Sequence, residues 1–271
     1  MATPLIQLSG RDMTGALGSV AAVDLVAEEL RGTDRHDDGS RLVPGYDDPE
    51  LVVLEDARGR PRCVFPAAGL RDCRTAALTV LAARELTVAA GPVTAVLVGS
   101  WSGRDPLLVL LVDQFPRVDR IALCPSSAAR GVPADPALVA AADLSGVALS
   151  VVEDVRCAVR GAALVVVGGP DGAPLTADAL DPGALVVDAS GDAVAGAIAA
   201  DQTYVDDARL AGDRVVDAEL GQVLRGEHPG RSRDEQVLLV ELLTAGAPTA
   251  ALARSLHESA VARGCGVWLA G

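Results

Sequence analysis

Short, uninterrupted runs of apolar residues dominate the middle of this chain, and polar or glycine-rich stretches separate them. The run VTAVLVG ends at Gly99, and an apolar run that stops at a glycine is typical of a strand buried on both faces. This pattern predicts strands at residues 93–99, 120–124, 148–153, 163–169, 184–190 and 203–207. Helical or loop segments lie between the runs, so we predict an α/β fold with a doubly wound, parallel, Rossmann-type sheet.

The segments on either side of these runs have other periodicities. Residues 13–31 place apolar side chains at helical spacing and predict one amphipathic helix, whereas residues 32–50 are dense in Asp, Gly and Pro and predict a loop or linker. Residues 51–67 predict a β-hairpin, and residues 71–90 predict an Ala/Leu-rich helix. Residues 234–266 are predicted to form two helices that break at a Gly-Ala-Pro sequence.

Charge narrows the partners that this chain can have. Its 271 residues include 37 acidic and 23 basic side chains, giving a net charge of −14 without any basic stripe. An acidic surface repels phosphate backbones, so no nucleic-acid partner is expected. Every basic side chain is an arginine, which excludes a Schiff-base lysine and a lysine clamp for phosphate or carboxylate.

Cysteine usage and hydropathy indicate a soluble, cytoplasmic protein. The five cysteines are scattered without CxxC pairs, as expected for reduced thiols. The apolar run at 107–112 is far shorter than the ~20 residues that cross a bilayer, and the first residues lack the pattern of a signal peptide. His36, His228 and His257 have no metal-ligand spacing, so no metal site is predicted.

Three separated segments carry motifs of one known family. Residues 69–86 contain the sequence CRTAA, residues 182–198 continue an apolar strand into SGD, and residues 220–269 contain HPGR and later GCG. In order and spacing, residues 51–271 resemble the ornithine cyclodeaminase/mu-crystallin family. Members of that family carry out nicotinamide-dependent chemistry on α-amino or α-imino acids.

The resemblance implies a subunit with two domains. Residues 91–230 would form the Rossmann-type nucleotide-binding domain, inserted into a smaller α+β domain for substrate binding and dimerisation, made of residues 1–90 and 231–271. The implied substrate is small and amino-acid-like, and the implied assembly is a homodimer or a heterodimer with a paralogue. The N-terminal part is shorter than is usual in the family.

The resemblance also assigns candidate site residues. Arg74 falls at the position of an arginine that grips the substrate carboxylate, and Arg41 is a second candidate for that role. Asp192 falls at the position of the catalytic carboxylate, which would act as a general acid or base. From the residues alone, the alternatives are a surface or capping role for Arg74 and an ordinary turn role for Asp192.

The loop after the first predicted strand departs from the dinucleotide-binding pattern. NAD or NADP is the implied cofactor, and G-x-G-x-x-G/A is the usual loop because its second glycine lets the backbone approach the phosphates. Here Trp101 replaces the second glycine, and an arginine replaces the small third residue. The candidate cofactor-binding residues are Thr75, Gly99, Ser100, Ser102, Gly103 and Arg104.

Two functions of different classes follow. The first is an enzyme that performs cyclodeamination, dehydrogenation or imine reduction at the α-carbon of an amino or imino acid, in specialised biosynthesis. The second is a non-catalytic homologue that acts as a scaffold or as the partner subunit of an active paralogue, which Trp101 and the shortened N-terminal part would favour. A Rossmann fold that binds another adenosyl ligand is a third option without positive support.

Overall fold

Two β-sheets organise the chain, one purely parallel and one mixed. The computed structural model describes residues 5–32, 38–45, 48–88, 90–99, 103–125, 135–169, 175, 177–190, 198–243 and 249–269. The eight-stranded parallel sheet is flanked by helices, and the five-stranded mixed sheet belongs to a smaller α+β unit. The predicted fold class, a Rossmann-type sheet with a smaller α+β domain, is confirmed.

The bounds of the elements follow the chain. The strands are β1 (Leu5–Gln7), β2 (Arg41–Pro44), β3 (Leu51–Glu55), β4 (Pro61–Pro66), β5 (Val93–Val98), β6 (Val118–Cys124), β7 (Ala148–Val151), β8 (Leu164–Val167), β9 (Leu185–Asp188), β10 (Gln202–Val205), β11 (Ala218–Glu219), β12 (Leu238–Glu241) and β13 (Val267–Leu269). The helices are α1 (Gly10–Leu17), α2 (Ala22–Leu30), α3 (Ala67–Leu86), α4 (Arg104–Gln114), α5 (Pro136–Leu144), α6 (Val155–Val159), α7 (Leu220–Leu224) and α8 (Ala250–Arg263).

The parallel sheet has the order β11-β10-β12-β9-β8-β5-β6-β7, and the mixed sheet has the order β13-β1-β4-β3-β2. Strands β5, β8 and β9 are almost entirely buried, as their continuous apolar runs predicted. Helix α3 packs against α2 and α4 and contacts β9, so it joins the smaller unit to the parallel sheet. The predicted hairpin is confirmed as the antiparallel pair β3–β4.

The helix predicted over residues 13–31 is wrong in its continuity, because α1 and α2 are separate. The chain turns between them, where Ala22 N donates to Val20 O at 2.7 Å. The side chain of Gln114, on α4, donates to Val20 O and accepts from Val23 N, so it bridges the break. A tertiary contact thus satisfies the backbone groups that a continuous helix would have paired internally.

The first of the two helices predicted within residues 234–266 is also wrong, since residues 238–241 form strand β12. This strand lies between β10 and β9 and pairs with both in parallel register. Its four residues are all buried, and a short apolar run of this kind has no period that separates a buried strand from a buried helix. It lies beyond residue 230, where the predicted nucleotide-binding domain ends; the division into domains remains a prediction.

Part of the predicted loop at 32–50 is ordered as strand β2. It pairs antiparallel with β3, with Arg41 opposite Glu55. The second of the two predicted C-terminal helices is confirmed as α8, and the Gly-Ala-Pro sequence before it lies outside the described residues. Among the residues that the structure describes, no helix has the length and apolarity needed to cross a membrane.

Arg231, the arginine of the HPGR motif, has a structural role at the amino edge of the parallel sheet. The Arg231 guanidinium donates to the carbonyl oxygens of Leu86 (2.7 Å), Asp234 (3.3 Å), Ala184 (3.5 Å) and Gln236. These carbonyls belong to the end of α3 and to the segments that enter β9 and β12. Arg231 therefore ties α3 to the starts of two central strands.

Candidate functional site

Three buried carboxylates lie at the carboxyl edge of the parallel sheet, on neighbouring strands. Asp188 ends β9, Glu241 ends β12, and Asp206 directly follows β10; each is at most 5% exposed. The register places Glu241 beside Asp188 on one side and beside Val205 on the other. Ligands of open α/β sheets bind outside the carboxyl ends of the strands, so a ligand-binding site is expected at this edge.

A cavity of about 480 Å³ opens at this edge, beyond β10 and β11. Its wall consists of Glu29, Leu30, Arg74, Asp206, Asp207, Arg209 and Glu219. The volume is in the range of small-molecule sites, and charged side chains make up most of the wall. The cavity is therefore suited to a small, polar ligand with charged groups.

Arg74 lies in this cavity wall, where α3 passes the carboxyl edge. Its side chain is 3% exposed, and its Nη2 atom lies 2.8 Å from Oε1 of Glu29 on α2. A guanidinium that is buried at a cavity has the geometry for binding a carboxylate in two parallel hydrogen bonds. The structure thus brings the predicted carboxylate-binding arginine into a cavity, together with an acidic residue of its own chain.

The other acidic residues of the wall hold the local backbone or a neighbouring arginine. Asp206 Oδ1 accepts from Leu243 N at 2.7 Å, which links the end of β10 to the chain after β12. Asp207 accepts from both Nε and Nη2 of Arg209, and the side-chain hydrogen bond to that arginine lowers the pKa of Asp207. Glu219 Oε1 accepts from Ala208 N at 2.7 Å.

Glu241 differs from these acids because burial raises its pKa, and the neighbouring Asp188 adds to the effect. The Nε atom of Arg214 lies 3.9 Å from Oε1 of Glu241, and its positive charge opposes this rise in pKa. Asp188 accepts from the backbone N and the Oγ of Ser190, at 3.0 and 2.6 Å. Asp188 therefore fixes the start of the segment that carries Asp192, while Asp192 itself lies outside the described residues.

Gly99 ends β5 in a conformation that only glycine accepts readily. Its φ is +96°, and a Cβ atom there would lie 2.1 Å from the carbonyl oxygen of Gly168. Gly103 is the N-cap of α4, whose first turn has no side-chain cap, and Arg104 Nε donates to Asp105 at 3.0 Å. Ser100, Trp101 and Ser102, the rest of the predicted phosphate loop, lie outside the described residues.

The remaining candidates lie away from the wall of the Arg74 cavity. Arg41, on β2, is 65% exposed and binds Glu55 Oε2 through Nε and Nη2, at 2.9 and 2.8 Å. Thr75 is buried next to Arg74 on α3, and its carbonyl accepts from Thr79. The structure therefore separates Arg41 from Arg74 and pairs it across the sheet, and the roles assigned to both stay predictions.

A larger cavity, of about 1050 Å³, lies between α1, α3, α4 and α5. On α3 it is lined by Ala68, Gly69 and Asp72, and Arg74 lies roughly 200° around the helix from Asp72. The two cavities thus occupy opposite faces of α3. The larger one borders Asp105 in the first turn of α4, but it contains none of the candidate substrate-binding residues.

Glu29, Asp206 and Asp207 were missed as candidate site residues in the sequence analysis. The two aspartates are the last residues of the strand predicted at 203–207, and the rule for carboxyl ends would have marked them as site residues. No local signal identifies Glu29, since it meets Arg74 only through the packing of α2 on α3. Among the described residues, no group of three or more potential metal ligands occurs.

Comparison with known proteins agrees with this architecture. No protein-family model matches the chain. A curated protein of Rhizobium meliloti (strain 1021), named "Putative dehydrogenase RB0419", is 28% identical over 246 residues, which cover 79% of this chain and 73% of that protein.

Solved structures match nearly the whole chain. CmnK superposes with a TM-score of 0.72 at 19% identity, covering 99% of both chains. The Δ1-pyrroline-2-carboxylate reductase of Thermococcus litoralis, solved with NADH and L-proline, gives 0.67 at 13% identity, covering 97% of this chain and 99% of the reductase.

A protein of Bordetella pertussis Tohama I, described as a probable ornithine cyclodeaminase, gives a TM-score of 0.64 at 18% identity, covering 98% of this chain and 100% of that one. The chain therefore has the fold of the ornithine cyclodeaminase/mu-crystallin family, as its three sequence segments predicted.

Proposed function

We propose that this chain is a nicotinamide-dependent enzyme that acts at the α-carbon of a small amino or imino acid, by cyclodeamination, dehydrogenation or imine reduction in specialised biosynthesis. The observation that carries the proposal is the buried guanidinium of Arg74 in the wall of a cavity at the carboxyl edge of the parallel sheet. The fold shared with a reductase solved with NADH and L-proline supports it. The non-catalytic alternative has no support in the fold or in these comparisons.

The roles follow from charge and position. Arg74 binds the substrate carboxylate, and Asp192 holds or releases the proton of the substrate nitrogen or of an attacking amine. Asp188 positions the segment before Asp192 through its two bonds to Ser190. A bound nicotinamide supplies the hydride acceptor or donor at the α-carbon.

The described part of the phosphate loop fits a dinucleotide. Gly99 lets β5 end against β8, and the first turn of α4 presents backbone N–H groups without a side-chain cap. Gly103, Arg104 and Thr75 would hold the cofactor together with Ser100 and Ser102. NAD and NADP remain alternatives.

Cofactor binding is the first test. Titration with NADH and with NADPH should change the nicotinamide fluorescence and raise the melting temperature, because a ligand of the native state stabilises it by mass action. Failure of both to bind at millimolar concentration would remove the nicotinamide proposal.

Arg74→Lys tests the carboxylate site. A lysine cannot reproduce the bidentate geometry, so KM for the amino acid should rise about tenfold with little change in cofactor affinity. Arg84→Lys is the matched control, because Arg84 also lies on α3 and also pairs with an acid of α2, Asp24, at 2.8 Å. Equal effects of the two substitutions would argue against a binding role for Arg74.

Asp192→Asn tests proton transfer. We expect kcat to fall about a hundredfold or more while NADH still binds, since general acid–base catalysis contributes at least that much. The exposed Asp213→Asn should leave kcat unchanged. Activity is followed as absorbance of NADH with a panel of L-amino acids and of oxo acids with ammonia.

We also propose that two copies assemble, as a homodimer or with a paralogue. The edge strand β13 exposes Val267 (64%) and Trp268 (49%), large apolar side chains that association would cover. Light scattering on the purified chain tests this: the mass of a single subunit at micromolar concentration would refute the homodimer.

A further inference from the structure

Arg74 forms an ion pair with an acidic side chain of its own chain. Glu29, on α2, holds Arg74 Nη2 at 2.8 Å, and its own side chain is 35% exposed beside the cavity. A buried guanidinium needs such a charge, because an uncompensated charge in the interior is costly. A substrate carboxylate that reaches Arg74 therefore meets Glu29 at the same guanidinium.

Glu29 also differs from the other acids of the wall in its hydrogen bonds. Its Oε2 atom is buried and makes no hydrogen bond to any residue that the structure describes. Asp207 has both oxygens on Arg209, and Glu219 accepts from a backbone N–H. A carboxylate oxygen shielded from water gains most from a new donor or positive charge.

A ligand with a carboxylate alone would place two negative groups on one arginine. A ligand that also carries a positive nitrogen next to its carboxylate would neutralise Glu29 while its carboxylate binds Arg74. Repulsion in the first case and attraction in the second produce selectivity through a penalty on the wrong ligand as well as a gain for the right one.

We propose that Glu29 is the specificity-determining residue of the Arg74 cavity, which makes the site select zwitterionic or iminium-bearing amino acids over simple carboxylates. The inference rests on the proposed function in one respect: it takes this cavity as the substrate site. It adds a residue and a selection rule that the fold alone does not supply.

The test compares two probes that share ring size and carboxylate but differ in the nitrogen: L-proline and cyclopentanecarboxylate. Calorimetric titration of the native chain should give about a tenfold tighter Kd for L-proline, the gain expected from one charge-assisted hydrogen bond. In Glu29→Gln this preference should fall to about one, chiefly because cyclopentanecarboxylate binds more tightly. The ratio of two Kd values on one preparation does not depend on the fraction of folded protein.

Asp24→Asn is the matched control, because Asp24 pairs with Arg84 across the same two helices at 2.8 Å, outside the cavity wall. It should leave the preference unchanged, and Arg74→Gln should abolish the binding of both probes. An unchanged preference in Glu29→Gln, or no binding of either probe to the native chain, overturns the inference. NADH titration separates the two claims: a preference that depends on Glu29 without NADH binding would leave this inference standing and remove the proposed enzyme.

Discussion

The arginines at the two edges of the parallel sheet have different kinds of partner. At the amino edge, Arg231 and Arg117 donate to main-chain carbonyls: Arg231 to those of Leu86, Ala184, Asp234 and Gln236, and Arg117 to those of Val88 and Gly91. At the carboxyl edge, the buried charged side chains of the described residues are Asp188, Asp206, Glu241 and Arg74, and Arg74 pairs with the side chain of Glu29.

The difference decides which charges a ligand can reach. A hydrogen bond between an arginine and a main-chain carbonyl can break only if the backbone of a helix or strand moves. The amino edge is therefore held rigidly. A side-chain partner such as Glu29 can rotate away or share its arginine with another group. Arginine thus has a structural role at the amino edge and a candidate binding role, as Arg74, at the carboxyl edge.

The largest effect is expected at the carboxyl edge, for Gly99→Ala. The substitution combines an unfavourable φ of +96° with a contact of 2.1 Å to Gly168 O, so unfolding free energy should fall by about 4 kcal/mol. Gly91→Ala is the control, because its φ is +88° but nothing lies within 4 Å of the new Cβ; about 1 kcal/mol is expected. Urea denaturation measures both, and equal losses would show that the close approach of β5 to β8 has no energetic weight.

A smaller loss is expected at the amino edge, for Arg231→Met. The carbonyls that accept hydrogen bonds from Arg231 would lose a charged donor, which should lower the free energy of unfolding by about 3 kcal/mol. Burial lowers the pKa of Arg231, which agrees with a guanidinium that is partly removed from water. The exposed neighbour Arg233→Met should cost less than about 0.5 kcal/mol. If the two variants unfold at the same urea concentration, the arginine contacts do not hold this edge.

The smallest effect is expected for Glu241→Gln, and it has the opposite sign. Because burial raises the pKa of Glu241 in the folded chain, its proton stabilises the fold below the ordinary carboxyl pKa. That contribution is lost as the pH rises through the folded-state value. The variant should therefore gain stability over the native chain between pH 4 and pH 7, on the order of 1 kcal/mol at neutral pH. Melting curves across this range, with Glu235→Gln as an exposed control, measure the slope; a pH-independent difference would contradict it.

The sequence predicted the parallel strands where a continuous apolar run ends at a turn, as at β5 and β9. It failed where local pattern and tertiary placement disagree. Strand β12 was predicted as a helix because its short apolar run has no period that identifies a strand. Its partner strands β9 and β10 come from earlier in the chain, so the local sequence does not indicate the pairing. The break between α1 and α2 depends on Gln114, a side chain about 90 residues away.

The candidate site was predictable only where a motif marked it. The CRTAA segment led to Arg74, and the structure places that residue at a cavity. Glu29 was not predictable, because 45 residues separate it from Arg74 and only helix packing joins them. Arg41 was proposed from the resemblance without a motif around it, and the register of β2 on β3 gives it Glu55 as a partner.

The position of β12 has a consequence for synthesis of the chain. This strand is the last of the eight to leave the ribosome, yet it lies inside the sheet, between β10 and β9. Until residues 238–241 emerge, a nascent chain holds two partial sheets with open edges, and pairing at open edges is a route to aggregation. The parallel sheet is therefore completed only when β12 joins the β11-β10 pair to the β9-β8-β5-β6-β7 strands.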